Sequence, residues 1–329
     1  MGAYRAGGIL SLVKRDTISL NMTTSSAPGK IILFGEHAVV FNRPALAVPV
    51  MQVHADVEVQ DSSHAGIWIN APDVNLYAEL NTLPSDHPIA SVIHNLFFLS
   101  RVTPFPSLDI KISSTIPVAS GLGSGAAVSV ALIRALSSHL KHSMTDMEVN
   151  AFAYEIEKSY HGTPSGIDNT VITYAKPVYF MASEPIETFK VGEPFNILIG
   201  DTGIPAPTKE SVTDVRKLWQ MDQIHCESIF DEIGQIALMA RRAIESGKPD
   251  MLGELMDHNH AFLQELTVSS PELDKLVDAA RKAGALGAKM SGGGRGGNMI
   301  ALVTPDLAET VTRSMQEAGA KNVIITKVE

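Results

Sequence analysis

The chain has 329 residues, which is more than a single hydrophobic core usually serves, so we expect two domains. Its formal charge of −10 argues against nucleic acid or an anionic membrane surface as a partner, because both are bound through clustered Lys and Arg side chains. The one cysteine, Cys226, excludes an internal disulfide and a cysteine-based metal site, and no apolar run reaches the roughly 18 residues of a membrane span. These features predict a cytoplasmic protein.

The first half of the chain alternates between extended and helical patterns. Residues 1–22 lack a long apolar segment, and we expect them to form a disordered extension rather than a transit peptide. Ser143 and Thr145 are both candidate caps for the last helix of this half. We predict strands at 30–34, 45–59 (one strand or two), 67–69, 108–112 and 178–181, and helices at 88–98, 128–140 and 145–160.

An acidic link that contains Pro and Gly, at 183–194, marks the boundary between the two expected domains. We therefore predict an N-terminal domain over 23–190 and a C-terminal domain over 191–329. Strands followed by a run of helices are typical of an α+β protein. In the second domain we predict strands at 195–199, 288–290, 298–303 and 322–327, and helices at 212–219, 224–246, 249–266, 271–283 and 305–318.

A loop of small residues at 117–127 opens directly into an apolar helix. Its alternate glycines let the backbone approach a ligand, and the helix behind them presents free N–H groups, so the loop is a candidate phosphate cradle. A plain glycine-rich turn is the alternative. The loop lacks the Lys-Ser or Lys-Thr pair of a Walker A motif and the acidic partner of a Rossmann turn. Its candidate nucleotide-binding residues are Pro117, Ala119, Ser120, Gly121, Leu122, Gly123, Ser124, Gly125 and Ala126.

Three further stretches accompany this loop: one at 28–47 that begins Pro-Gly-Lys-Ile-Ile-Leu-Phe-Gly-Glu-His-Ala-Val-Val (28–40), His-Gly-Thr-Pro-Ser-Gly-Ile-Asp-Asn at 161–169, and Gly-Ala-Lys-Met-Ser at 287–291 followed by a second glycine cluster at 292–297. Together, and in this order, the four stretches resemble the GHMP kinase superfamily. The stretches at 28–40 and 161–169 resemble the mevalonate kinases in particular. The resemblance implies the two-domain GHMP kinase fold, with a ribosomal protein S5 domain 2-like N-terminal domain and an α/β C-terminal domain.

The resemblance also implies the reaction, which is transfer of the γ-phosphoryl group of ATP to the primary C5 hydroxyl of mevalonate in the presence of Mg²⁺. By motif position, Asp168 is the catalytic base and Lys30 the catalytic cation, and both also contact the substrate. A carboxylate is a weak base toward an alcohol, so Lys30 is expected to stabilise the alkoxide. Taken alone, Asp168 could equally cap a helix and Lys30 could be a solvated strand end.

Four other residues receive roles from the same resemblance. Glu157 and Ser124 are the expected Mg²⁺ ligands, and carboxylate oxygen suits this ion. Glu36 and His37 are expected to contact the substrate, as is Thr208 through its hydroxyl. Each has an alternative: Glu157 could be an ordinary surface residue of a helix, and His37 a buried structural donor.

The chain departs from its family at two positions. The usual loop reads Gly-Leu-Gly-Ser-Ser-Ala-Ala, and Gly125 replaces its second serine, while Arg295 replaces a glycine of the second cluster. A serine at position 125 would either restore a bond to Mg²⁺ or phosphate, or cost stability if Gly125 needs a positive φ. We expect the second outcome, with Gly125 and Arg295 compensating for one another. Arg295 itself could be a phosphate clamp or a solvent-facing residue.

Two alternative functions stay open at this point. Phosphomevalonate kinase needs an additional cation for its second phosphate, for which Arg295 is a candidate. A GHMP-fold protein that binds ATP as a regulator without catalysis is the alternative from another class. A homodimer is also left open.

Overall fold

The computed structural model describes residues 21–329 except 118–119, 162–163, 183, 186 and 207. Residues 1–20 of the expected extension therefore lie outside the described residues, and Met22 is already the first residue of a strand. Within the described part of the chain, no helix is long and apolar enough to cross a membrane.

The first sheet is built around a single 17-residue strand, β2. One edge of β2 pairs with β1 along its length, and the other edge pairs with β6 at 45–47 and with β5 at 55–61. The sequence left open whether this segment is one strand or two. The strands of this sheet are β1 (Met22–Phe34), β2 (Ala45–Asp61), β3 (Ile67–Ala71), β4 (Leu76–Glu79), β5 (Leu108–Ser114), β6 (Val178–Phe180) and β7 (Glu187–Thr188). Its order is β4-β3-β5-β2-β6-β7, with β1 beside β2, and among the strand pairs of the described residues β3 and β5 are parallel while the others are antiparallel.

Within the described residues, four helices accompany this sheet: α1 (Pro88–Ser100), α2 (Ser124–His139), α3 (Asp146–His161) and α4 (Ile167–Tyr174). α2 follows the glycine loop and buries a largely apolar face against β1 and β2. Thr145 and Glu148 cap α3 reciprocally, since the Glu148 carboxylate accepts from the Thr145 N–H at 2.7 Å and the Thr145 hydroxyl accepts from the Glu148 N–H at 3.3 Å. α4 was not predicted, because its eight residues include too few apolar positions to show a helical period.

The second sheet is antiparallel and has the order β11-β8-β10-β9. Its strands are β8 (Phe195–Asp201), β9 (Gly287–Ser291), β10 (Asn298–Val303) and β11 (Asn322–Val328), and its helices are α5 (Thr208–Met221), α6 (Gln223–Glu245), α7 (Leu252–Glu265), α8 (Pro271–Lys282) and α9 (Ala308–Ala318). The predicted helix over 249–266 begins as a short 3-10 turn at Pro249–Met251 before α7. The expected boundary at 190/191 falls between β7 and β8, and the division into two domains stays a prediction.

The two sheets share a hydrophobic core. Ile197 and Ile199 of β8 and Ile300 of β10 belong to the same buried cluster as Leu46 and Val48 of β2. The relative position of the two halves is therefore set by close packing, which interiors resist changing.

Polar contacts between β1 and β9 add to this apolar contact. Lys289 of β9 forms an ion pair with Glu36, and neither side chain is exposed to solvent. The Lys289 ammonium also donates to the carbonyl of Met290 at 2.7 Å. Burial raises the pKa of the Glu36 carboxyl, and the attraction of Lys289 opposes that shift. Close by, the Ser291 hydroxyl donates to the Ile32 carbonyl at 2.7 Å.

We predict that Lys289→Met destabilises the protein by about 3–5 kcal/mol, because it leaves the Glu36 carboxylate buried without a partner. The double variant Glu36→Gln with Lys289→Met removes both charges together and should recover most of that loss. Equilibrium urea unfolding measures both changes.

Lys327→Met is the matched control, since Lys327 pairs with Glu329 at the surface, where such pairs contribute little. If Lys289→Met and Lys327→Met had the same unfolding midpoint, the buried pair would not hold the two halves together.

Candidate active site

Lys30 and Asp168 meet beside the glycine loop. The Lys30 ammonium lies 2.9 Å from Oδ1 of Asp168, and their side chains are 5% and 34% exposed. The Lys30 backbone N–H donates to the carbonyl of Leu122 in the loop at 2.9 Å. Gly123 has φ 77°, and a Cβ there would lie 3.0 Å from the Lys30 side chain, so only glycine leaves room for it. Lys30 is thus buried, and its interpretation as a solvated strand end is wrong.

Asp168 is held at the start of α4. The cap position is Gly166, in the left-handed region at φ 85°, and no side chain caps the helix. Asp168 is therefore not the cap, and its carboxylate pairs with Lys30 instead. The Thr170 hydroxyl donates to the Gly166 carbonyl at 2.6 Å, and the Asn169 amide donates to Asn150 Oδ1 on α3 at 2.6 Å. These bonds anchor the first turn of α4 against α3.

Glu157 is a half-buried residue of α3 on the same side of the molecule. The pKa of its carboxyl is raised to about 8, chiefly by burial and in addition by the negative charge of Asp168, while Lys30 opposes the shift. When two carboxylates lie near each other, their negative charges repel, and a cation bound between them relieves that repulsion. No cluster of three or more His, Cys, Asp and Glu within the described residues could hold a metal by itself. Mg²⁺ is commonly bound through one or two carboxylates together with substrate phosphates.

The glycine loop ends at the N-terminus of α2. Gly121 and Gly123 have φ 81° and 77°, in the left-handed region that favours glycine. Ser124 is the first residue of α2, and the first-turn N–H groups of a helix are free to bind an anion. Leu122 and Ala126 are buried, so only their backbones could meet a nucleotide.

The expectation that Gly125 needs a positive φ is wrong. It lies in the first turn of α2, outside the positive-φ residues of the described chain, and an added Cβ would meet nothing within 4 Å. The sequence could not reveal this, because helix α2 begins four residues before its apolar run.

Two hydrogen bonds of Ser120 hold the first part of the loop in place. The Ser120 hydroxyl donates to the Pro117 carbonyl at 2.8 Å, and the Ser120 carbonyl accepts from the buried amide of Asn298. Ala119 lies outside the described residues. Asn298 starts β10 directly after the second glycine cluster, so it connects the two glycine segments.

Glu36 and His37 lie between the two halves and have other partners there. Glu36 pairs with Lys289, and His37 Nε2 donates to the carbonyl of Gly293 at 3.1 Å. Burial lowers the pKa of His37 to about 4, so the ring is neutral at neutral pH. Their predicted contact with the substrate stays a prediction.

Thr208 is the first residue of α5, and its side chain lies outside the described residues. The segment that leads to it is bound to the second glycine cluster. The Thr202 hydroxyl and N–H both donate to the Gly297 carbonyl at 2.9 Å, and the Gly297 N–H donates to the Ile204 carbonyl at 2.9 Å. α5 therefore begins next to the second glycine cluster.

The sequence reasoning missed Lys289, Asn298 and Asp214. Asp214 is the α5 residue that pairs with Arg295. A signal existed for Lys289, because a lone lysine in a strand of small and apolar residues, Gly287–Ser291, needs an anionic partner if it is buried. Asn298 and Asp214 have no such signal, since their partners lie far away in the sequence.

Taken together, the site places a cation and a carboxylate in contact beside the glycine loop that leads into α2. A second carboxylate, that of Glu157, lies close enough to interact with the charges of both Lys30 and Asp168. This arrangement can take a proton from an alcohol and stabilise negative charge on a phosphoryl group in transit.

Comparisons with known proteins identify the family of this chain. The family model described as GHMP kinases N terminal domain matches residues 89–176, and that described as GHMP kinases C terminal matches 240–321. The mevalonate kinase of Pyrococcus abyssi is 34% identical over 320 residues, which cover 92% of this chain and 95% of that protein.

Two solved structures are similar in fold over nearly the whole chain. The L. major mevalonate kinase in complex with R-mevalonate has a TM-score of 0.82 at 29% identity, covering 94% of this chain and 97% of that one. The Methanococcus jannaschii mevalonate kinase has a TM-score of 0.81 at 26% identity, covering 93% and 98%. The chain belongs to the GHMP kinase family, and within it to the mevalonate kinases.

Proposed function

We propose that this chain phosphorylates the C5 hydroxyl of mevalonate with ATP, forming 5-phosphomevalonate and ADP. The observation that carries the proposal is the contact between Lys30 and Asp168 at 2.9 Å, beside the glycine loop. In the reaction the C5 oxygen attacks the γ-phosphorus, the bond from that phosphorus to the ADP oxygen breaks, and the hydroxyl proton passes to Asp168.

Lys30 and Asp168 have complementary roles in this proposal. The Asp168 carboxylate accepts the proton, while the Lys30 ammonium stabilises the negative charge that develops on the C5 oxygen. Because Lys30 is buried, its charge is screened by little water and acts strongly at short range. The burial of Lys30 and the anchored first turn of α4 keep the pair in place before the substrate arrives.

The glycine loop and Glu157 serve the nucleotide. The free N–H groups at the start of α2 are directed at the phosphates, and no side chain at 121, 123 or 125 blocks their approach. Glu157 and the Ser124 hydroxyl would hold Mg²⁺, which neutralises charge on the phosphates of ATP. The raised pKa of Glu157 supports this assignment, because a bound cation would stabilise its ionised form.

The alternatives are weaker. Phosphomevalonate kinase would need a free cation for a second phosphate, and Arg295 already pairs with Asp214 at 2.5 Å. A regulator without catalysis has no need of the Lys30–Asp168 contact. A cytoplasmic location and a homodimer stay proposals, the first supported by the single cysteine of the chain.

We expect the purified protein to release ADP from MgATP with mevalonate, and to do so at least tenfold slower with 5-phosphomevalonate, homoserine or galactose. A coupled assay for ADP measures the rates, and ³¹P NMR identifies the new phosphate ester. A higher rate with 5-phosphomevalonate would replace the proposal by its first alternative. ATP binding without turnover of any of these alcohols would support the regulator.

Asp168→Asn should lower kcat for mevalonate by roughly 10²-fold or more, the range expected for a lost general base, and leave ATP affinity nearly unchanged. The substitution keeps the shape of the side chain and removes its charge. Steady-state kinetics and a fluorescent nucleotide titration measure the two quantities.

Asp278→Asn, at an exposed position of α8, is the matched control and should leave kcat unchanged. A kcat for Asp168→Asn within threefold of the unmodified enzyme would remove Asp168 from the base role.

Gly125→Ser should lower the MgATP concentration needed for half-maximal rate by about tenfold or more, because the added hydroxyl can bond a phosphate or Mg²⁺, hydrogen bonds to charged groups contribute about 1.5–3 kcal/mol, and about 1.4 kcal/mol is a factor of ten. The open space around Gly125 and its helical φ remove the steric objection to serine.

Gly125→Ala is the matched control, since it also adds a Cβ and raises helix propensity, but carries no hydroxyl. Equal effects of Ser and Ala on the half-maximal MgATP concentration would show that no hydroxyl is needed at this position.

A further inference from the structure

Arg295, the residue by which the second glycine cluster departs from its family, is bound on three sides. Its backbone N–H donates to the Val268 carbonyl at 2.8 Å, and its Nε lies 3.4 Å from the Thr267 carbonyl. Its guanidinium forms an ion pair with Asp214 of α5 at 2.5 Å, with the two side chains 38% and 39% exposed. The guanidinium is thus directed at α5, and it is neither free in solvent nor unpartnered.

Asp214 receives a second cation from its own helix, because Lys217 lies 2.9 Å from its other carboxylate oxygen. The two pairs differ in what they join. Lys217 and Asp214 are three residues apart on α5, whereas Arg295 connects α5 to the glycine cluster across 81 positions of the chain. Of these two pairs, the one with Arg295 is the pair that can affect the position of α5.

The same helix is attached to the glycine cluster at a second place. The segment just before α5 is bound to Gly297 through Thr202 and Ile204. Asp214 lies six residues after Thr208, about 9 Å further along the helix at 1.5 Å per residue. The first turns of α5, with Thr208 at their start, are therefore held between two attachments to residues 295–297.

We propose that Arg295 and Asp214 are positioning residues that set the first turns of α5 over the substrate end of the site. The inference rests on the proposed function, because it takes Thr208 and the residues around it to face mevalonate. An exposed ion pair adds little to stability, so its effect falls on the position of α5 rather than on the folding equilibrium. Small displacements of binding groups carry large costs in rate and in substrate affinity.

If Arg295 instead bound the phosphates of ATP directly, removal of Asp214 would have a different effect on the two KM values. If Asp214 only competes with ATP for the guanidinium, its removal releases Arg295 and lowers the KM for ATP. If the pair positions α5, removal of either partner raises the KM for mevalonate and leaves the KM for ATP within twofold.

The experiment compares Arg295→Met, Asp214→Ala and the double variant in steady-state kinetics with both substrates. We expect each single change to raise the KM for mevalonate about three- to tenfold, and the double variant to resemble the singles, because both changes break one contact. Lys217→Met is the matched control. It removes the other partner of Asp214, leaves the Arg295 pair in place and should keep the KM for mevalonate within twofold.

Hydrogen–deuterium exchange gives a readout that does not depend on activity. Peptides that cover 203–214 should exchange faster in Arg295→Met and Asp214→Ala than in Lys217→Met, while thermal midpoints stay within about 2 °C of one another.

A raised KM for ATP in Arg295→Met with a lowered one in Asp214→Ala would overturn the inference in favour of a phosphate clamp. Multiplicative effects in the double variant would overturn it as well. An unmodified enzyme that is inactive on mevalonate would contradict the proposed function, and the exchange data would still judge the role of the pair.

Discussion

The buried ion pair between Glu36 and Lys289 is the constraint on which the rest of this structure depends. Two charges are removed from water at the contact between the two halves, which is tolerated only if each has the other within hydrogen-bond distance. Any sliding of β9 past the end of β1 would leave both charges unpaired. The apolar packing around the pair holds the two halves together, and the ion pair fixes the position of β9 relative to the end of β1. Lys30 lies on β1, six residues before Glu36, and its backbone N–H is bonded directly to the glycine loop.

The glycine segments act as a unit because they bond to one another. The first motif contacts the glycine loop through the Lys30 N–H and the Leu122 carbonyl, and Asn298 joins the loop to the second cluster. The cluster in turn holds His37 and the segment before α5. Glycine serves this purpose because backbones can meet only where no Cβ intervenes. A site assembled in this way is largely preorganised, so its charges need little rearrangement when substrates bind.

Much of the candidate site could be predicted because its residues come in short local patterns. The strand that carries Lys30, the glycine loop and the turn before Asp168 are each continuous in sequence, and the structure places Lys30 and Asp168 in contact. Helix α4 was missed, since eight residues with several polar side chains show no clear period. The φ of Gly125 was predicted wrongly because the start of α2 could not be read from an apolar run that begins only at Val128. Arg295 could not be assigned because its partner lies 81 residues away.

The sequence by itself determined the types of chemical group in the site and the family to which the chain belongs, because local patterns of glycine, charge and hydrophobicity carry that information. Only the tertiary structure decided which charged groups form ion pairs with each other. It paired Glu36 with Lys289, Asp168 with Lys30 and Arg295 with Asp214. It also placed Glu157 where two neighbouring charges shift its pKa. The physical reason is that electrostatic interaction depends on distance and burial, and both arise only when segments far apart in the chain pack against each other.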